Sequence, residues 1–364
     1  MDKYLISLTY LKGLGPVMIK KLMERFNSAE AIWQASFNDF RELKLNDDFI
    51  AALIKQRQQI DPDKIVNQLN KEQIKTVSVY EQNYPKLLKE IYAPPTILFY
   101  RGQPEIFNAE FSLAVVGSRK ISAYVKTVLP DLLDEIVKRK VVIISGLAYG
   151  VDELAHTIAV DNNCPTIAIT GSGLAWDYLY PQSNLKLAEK IIKTGGLIVS
   201  EFSPFTAGYP ANFPRRNRLI SGLSKVIMVA EASAKSGALI TAGCAAEQNR
   251  EVLALPQNLN SPTAIGVNRL LSNGAKIITS AADILESLNI FIDEQTATKT
   301  PPADLNLLSP EEKTLYQLLS ASPLHIDKIV ENSTLDASAV GAFLIQLEIK
   351  GVIKNIGGQN YIKF

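Results

Sequence analysis

Between Phe213 and Pro256 the sequence runs an Arg-Arg-Asn-Arg cluster, an apolar strand, a Ser/Gly loop and a new helix together without a break. Arg215, Arg216 and Arg218 carry guanidinium forks suited to phosphate, with Asn217 between them. Lys235, Ser236 and Gly237 lead into a helix that contains Thr241, and the first backbone N–H groups of a helix lack intrahelical partners and favour the same guest. The competing reading ties the arginines to a structural carboxylate, Glu201. Standing beside Pro214 and before a helix LISGLS, the forks are expected to project beside a crevice rather than into bulk water.

Covalent chemistry has a thinner basis. His156 and His325 are the only histidines, and they fall in different domains. Asp152 and His156 stand four apart on one helix face, as half of a metal site or a proton relay would, yet no third ligand of matching spacing accompanies them. The plainer expectation is Asp152 near a helix N-terminus with His156 bonded to it. Glu201 and Glu231 end apolar strands, where each can act as a general base or fix an arginine. Ser145 and Ser236 have no histidine nearby in sequence, so no nucleophile is assigned. A nucleotide-acting hydrolase with Glu231 or Asp152 as base stays open as the alternative to a binding protein; no catalytic residue, cofactor or metal is assigned.

The elements that must position these residues are legible from Phe111 onward. Six segments, SLAVVGS, VVIISGL, PTIAITGS, GGLIVSEF, KVIMVAEA and REVLALP, are apolar on nearly every residue and alternate with helical intervals. This is the texture of an α/β doubly wound, mostly parallel sheet. Small polar residues follow the strands: Gly117, Ser118, Arg119 and Lys120; Ser145, Gly146 and Tyr149; Thr170 to Gly173; Ser200 and Glu201; Ser233 to Thr241. In an open sheet these ends face one crevice. One nucleotide needs a single anion loop, whereas a chain of phosphates occupies several, so a polynucleotide is the better guest. Gly171-x-Gly173 lacks a third glycine and lies outside the first strand–helix unit, and no Gly-Lys-Ser/Thr follows a strand, so neither dinucleotide binding nor a Walker loop is indicated. Of the aromatic residues in these loops, Tyr149 is the one placed to meet a ligand by stacking.

Composition sets the outer limits. Thirty-eight Lys and Arg against 37 Asp and Glu leave a net charge of +1, so an anionic partner must be met by a local patch. Cys164 and Cys244 sit in apolar surroundings, which points to a reducing compartment and, by default, the cytoplasm. No apolar run approaches the roughly 20 residues of a membrane span. Residues 1–70 read as a helical domain in which Gly13-Leu14-Gly15-Pro16 interrupts a 3.6-residue pattern. It resembles a helix-hairpin-helix whose glycines admit a DNA phosphate flanked by Lys20 and Lys21, and it serves equally well as packing alone. Residues 71–110 form a connector with an edge hairpin, 111–290 the sheet, 291–306 a Thr/Pro-rich linker, and 307–364 three helices and a hairpin that read as a winged helix. Ser309, Pro310 and Glu312 open the first of those helices as a capping box. DASAVGAFLIQLEIK has no arginine for base readout, which favours protein contact or regulation.

The motifs VVGSRKISAY, ISGLAYGVDELAH, SEFSP, FPRRNRLISGLS, VAEASAKSGALITAGCAAEQNREVLALP and GVNRLLSNGAKII together resemble the DNA processing protein A (DprA, or Smf) family over roughly residues 75 to 290. The resemblance implies an extended Rossmann-like fold that binds single-stranded DNA without hydrolysis and brings RecA recombinase onto it. It also implies a homodimer acting in natural transformation. The helical domain before the core (of a SAM or helix-hairpin-helix kind) and the winged helix after it fit the same family. By position, Gly117, Ser118 and Arg119 match its phosphate-clamping Gly-Ser-Arg, and Arg215 to Arg218 its Arg-Asn-Arg stretch. The chain departs from the family at Tyr149 and Gln182, where lysines are usual, in a longer LAWDYL loop, and in lacking a glycine after Pro256. Two lost cations are expected to weaken phosphate affinity and flatten its salt dependence.

Overall fold

The computed structural model describes residues 1–290, 308–320 and 322–363; the expected linker 291–306 lies outside them. The chain divides into two compact units, Met1–Phe291 and Ile292–Phe364.

In the first unit six short helices fill residues 3–71, the region expected to be helical. Their starts are set locally. Asp2, Ser28, Ser36, Asn46 and Asp61 each accept backbone N–H bonds as N-caps, and Pro62 takes the first position of its helix. Gly13 lies at φ +95°, and a Cβ there would come within 2.7 Å of the Phe49 ring, so the turn before helix Pro16–Phe26 needs a glycine on two counts. The apolar faces of these helices, with Leu5, Leu8, Leu22 and Phe40, share a core with Phe99 and Ile198 of the sheet that follows and with Leu174 in one of its loops.

That sheet is built from β1 (Lys75–Ser78), β2 (Ile97–Gly102), β3 (Ser112–Val116), β4 (Val142–Ser145), β5 (Thr166–Ile169), β6 (Leu197–Ser200), β7 (Val226–Val229), β8 (Glu251–Ala254) and β9 (Lys276–Ile277). Their order is β1-β2-β6-β5-β4-β3-β7-β8-β9. The expected connector supplies β1 and β2, an antiparallel pair attached antiparallel to β6, and every pairing from β6 to β9 is parallel. Strands β3 to β7 are buried at every residue, as the unbroken apolar runs require. The two-residue β9 has no such signature and was not anticipated.

The second unit holds helices Pro310–Leu318, Ile326–Glu331 and Ala337–Ile349 with β10 (Leu324–His325), β11 (Ile353–Asn355) and β12 (Asn360–Lys363) in the order β10-β12-β11, a winged helix. The Ser309–Glu312 capping box is formed as expected. Leu315, Ile329, Val340, Leu344 and Leu347 make its core, and helix Ala337–Ile349 exposes Ile345 and Ile349.

At the joint between β2 and β6, Gly102 has φ +105° and an added Cβ would lie 2.1 Å from the Gly196 carbonyl oxygen. Gly102→Ala should therefore cost on the order of 2–4 kcal/mol. Both tryptophans, Trp33 and Trp176, belong to the first unit, so urea unfolding followed by their fluorescence reads this loss directly.

Candidate nucleic-acid interface

The parallel strands change direction of winding between β3 and β7, and the loops leaving their carboxyl ends part there. A cleft of about 520 Å³ opens at this point. Gly117 to Lys120 after β3 form one wall; Ser233, Ser236, Gly237 and Thr241 after β7 form the other; Phe213, Arg216 and Asn217 close its end. Ser118 turns the first wall, its hydroxyl donating to the Lys120 carbonyl and accepting the Lys120 N–H. Ser236 caps helix Gly237–Glu247, accepting from Ala238 N–H. Gly117 and Gly150 let the β3 and β4 loops touch: a Cβ on Gly150 would stand 2.4 Å from the Ser118 carbonyl oxygen, and one on Gly117 would stand 2.6 Å from Val151.

The arginine cluster behaves differently from the sequence expectation. It lies inside helix Asn212–Gly222 rather than before a helix, so the 100° step per residue sends the three guanidinium groups in three directions. Arg216 points inward and is 3 % exposed; it donates to the carbonyl oxygens of Gly146, at 2.7 Å, and of Ile169, at the ends of β4 and β5. Burial lowers its pKa to about 10, Asp152 opposing and Arg119 adding to the shift, so it stays charged near neutrality. Arg218 turns back to Glu201 and the Ala93 carbonyl, the structural pairing the sequence left open. Arg215 is solvent-exposed, its guanidinium carbon 5.5 Å from the Phe202 ring centroid. Asn217 joins the cluster to the second wall, donating to the Gly237 carbonyl.

Not every predicted contact reaches the cleft. Ser145 is fully buried and donates to the Val115 carbonyl. Gly146 spends its N–H on Asp152 and its carbonyl on Arg216. The loop after β5 is covered, Gly171 lying against Phe213 and Gly173 against Pro204, so the expected convergence of all five loops narrows to those after β3, β4 and β7. Lys235 is exposed on the loop beside Ser233 and Ser236. Tyr149, 42 % exposed, shares a neighbouring hollow with Arg119 and Lys126. Arg119 itself rests over Phe213 at 5.1 Å, and among the described residues no carboxylate forms a salt bridge with Arg119, Lys120, Arg215 or Lys235. Sequence reasoning missed Thr263 and Pro210 in the lining, which no local motif marks.

Glu231 and Asp152, the bases of the hydrolase alternative, are both occupied. Glu231 is fully buried and accepts the Ser122 N–H at the start of helix Ala123–Lys138. Asp152 accepts from Gly146 N–H and faces Arg216; burial raises its pKa against the pull of that guanidinium. The expected Asp152–His156 bond is absent. His156 Nδ1 meets Thr166 Oγ1 at 2.8 Å, and since that hydroxyl donates to the Ile143 carbonyl, the ring nitrogen carries the proton. Asp152 is drawn away by Arg216 and Gly146, which is the physical reason for the difference.

Burial, helped by the Arg216 charge, lowers the His156 pKa from 6.5 to about 3. The unfolded chain therefore takes up a proton near pH 6.5 that the folded chain refuses until far lower, and the His156 contribution is complete above that pH and lost as pH falls. The loss is at most ~1.4 kcal/mol per pH unit. His156→Asn should flatten the fall of Tm between pH 6.5 and 4 relative to the parent, measured calorimetrically.

With this geometry established, comparison with known proteins is informative. The family model for DNA recombination-mediator protein A matches residues 75–289, and that for the DprA winged helix domain matches 297–359. Protein Smf of Synechocystis is 32% identical over 98% of this chain and 98% of its own. The DNA processing protein DprA of Bacillus subtilis is 40% identical over 59% of this chain and 71% of its own. Among solved structures, DNA processing protein A from Streptococcus pneumoniae superposes with a TM-score of 0.67 at 33% identity, covering 79% of this chain and 98% of that one. The Helicobacter pylori protein, described for its single-stranded DNA binding mode, gives 0.54 at 31% identity over 60% and 96%. A Rossmann-like sheet parted at β3 and β7, a Gly-Ser-Arg turn at that opening and a winged helix thus coincide with matches along nearly the whole length, and the chain belongs to the DNA recombination-mediator protein A family.

Proposed function

We propose that this chain binds single-stranded DNA in the β3/β7 cleft without cleaving it, and that it acts as a dimer which hands the strand to RecA recombinase during natural transformation. The observation that carries the reading is Arg119 with Lys120 on a glycine-admitted turn, facing the capped start of helix Gly237–Glu247 across the cleft, with no carboxylate in a salt bridge to either cation among the described residues. Two walls of donors suit successive phosphates. The single-stranded DNA binding described for the Helicobacter pylori relative supports the same guest. A strand held by its phosphates keeps its base edges free, and a recombinase needs those edges for pairing. The occupied states of Asp152 and Glu231 favour binding over hydrolysis.

Self-association is supported at the other end of the sheet. Leu259, Ile265 and Ile277 are 85%, 57% and 49% exposed in the segment that leads from β8 through helix Ile265–Ser272 to the edge strand β9.

Fluorescence anisotropy with labelled oligothymidylate tests the site. Arg119→Ala should weaken binding about tenfold or more and reduce the slope of log K against log salt by about 0.7, the value for one phosphate contact on a single strand. Unchanged affinity would remove Arg119 from the interface. RecA assembly, followed as strand-dependent ATP hydrolysis on DNA covered by a single-strand binding protein, should accelerate when the chain is added; no acceleration would confine the function to binding. Sedimentation across a concentration range should give a dimer that Ile265→Asp converts to monomer.

A further inference from the structure

A second cleft of about 550 Å³ lies beside the first, between the turn from Thr9 to Pro16 and the segment from Glu201 to Thr206. One turn of helix Asn212–Gly222 separates them: Pro214 and Arg216 line the first cleft and Arg215 the second. Its walls are chemically unlike. On one side Lys12, Gly13 and Gly15 precede helix Pro16–Phe26, which has no side-chain cap and no acidic residue in its first turn, so the Val17 and Met18 N–H groups have no intrahelical partner. On the other side Phe202 presents a ring with Arg215 above it. Beside Phe202 stands Glu201, its side chain 8% exposed, with Oε2 accepting from Arg218 and Oε1 buried without any partner. An unpaired buried carboxylate oxygen costs free energy that a donor from a ligand would recover. Burial accordingly raises the Glu201 pKa, against the pull of Arg218 and Arg215.

We infer that this second cleft holds one nucleotide, its phosphate at the Lys12–Val17 turn and its base against Phe202, with an exocyclic amino group donated to Glu201 Oε1. The inference rests on the strand-binding reading where the nucleotide is part of a bound strand; a free nucleotide presents the same chemistry. An acceptor at this position distinguishes the two pyrimidines, because cytosine offers the N4 amino group where thymine offers the O4 carbonyl. Glu201→Gln inverts the requirement: Arg218 holds the amide oxygen, and the amide NH2 takes the place of Oε1.

The test compares labelled oligodeoxycytidylate and oligothymidylate of equal length by anisotropy, with dCMP and dTMP as competitors, on the full chain. The parent should bind the cytidylate strand about fivefold more tightly, within the range expected for one buried hydrogen bond. Glu201→Gln should lose or reverse that preference while keeping its affinity for oligothymidylate. Phe202→Leu, which keeps an apolar side chain, should weaken both strands about tenfold, the loss of one stacked base. Equal affinity of the parent for both strands overturns the base pocket and leaves strand binding standing. Binding of dCMP that Glu201→Gln abolishes, with neither strand bound, supports the pocket as a free-nucleotide site and overturns the strand function. No binding of strand or mononucleotide overturns both.

Discussion

A buried guanidinium sets the shape of the interface. Arg216 crosses from its helix to the carboxyl ends of β4 and β5, where the Gly146 and Ile169 carbonyls accept its N–H groups and Asp152 supplies the opposing charge nearby. Removing such a cation from water is expensive and is tolerated only where several partners meet it. The arrangement also dictates a glycine: a Cβ at position 146 would stand 2.6 Å from both terminal nitrogens of Arg216 and from Asp152 Oδ2. The motif SGLAYG and the motif FPRRNR are therefore two halves of one contact, and the helix start at Asn212 is held against the sheet by it.

The same contact organises the charge around the cleft. Overall the chain is nearly neutral, yet two carboxylates behind the β3/β7 opening are spent inward: Asp152 on Gly146 N–H and Arg216, and Glu231 on Ser122 N–H. The cations left at the surface, Arg119, Lys120, Arg215 and Lys235, are not opposed by an ion pair among the described residues. A local positive field thus arises from how the negative groups are consumed rather than from an excess of lysine and arginine.

Much of this was legible in the sequence because strand burial leaves a direct trace. Continuous apolar runs marked β3 to β8, and small polar residues after them marked the loops. What depended on rotation about a helix axis was not legible. Arg215, Arg216 and Arg218 are alike in type, and their separate fates follow from helical phase once the helix begins at Asn212. Tertiary cover was equally silent: Ser145 and the Thr170–Gly173 loop carry the composition of ligand loops, but chain that arrives later, at Pro204 and Phe213, closes over the second of them. His156 turned to Thr166 because its i−4 neighbour was taken by a residue 64 positions further on, a competition no local spacing records.

Gln182 and Tyr149, where the resemblance led lysines to be expected, differ in their surroundings. Gln182 directs its side-chain amide at the carbonyls of Trp176, Asp177 and Leu179, closing the loop after β5. Arg101 braces the same loop, donating to the Leu174 carbonyl and lying 4.7 Å from the Trp176 ring centroid. Position 182 is thereby spent on loop structure, and the Arg101 charge is answered by Glu72 rather than exposed to a phosphate. The loop after β5, residues 170–184, accordingly carries aromatic and amide side chains and no cation. Exposed positive charge is concentrated at Arg119 and Lys120 on one side and at Lys235 and Arg215 on the other. Because Arg215 lines the second cleft and its neighbours Pro214 and Arg216 the first, the surface cations continue from the sheet's centre toward the Gly13–Gly15 turn, where the Val17 and Met18 N–H groups lack helical partners.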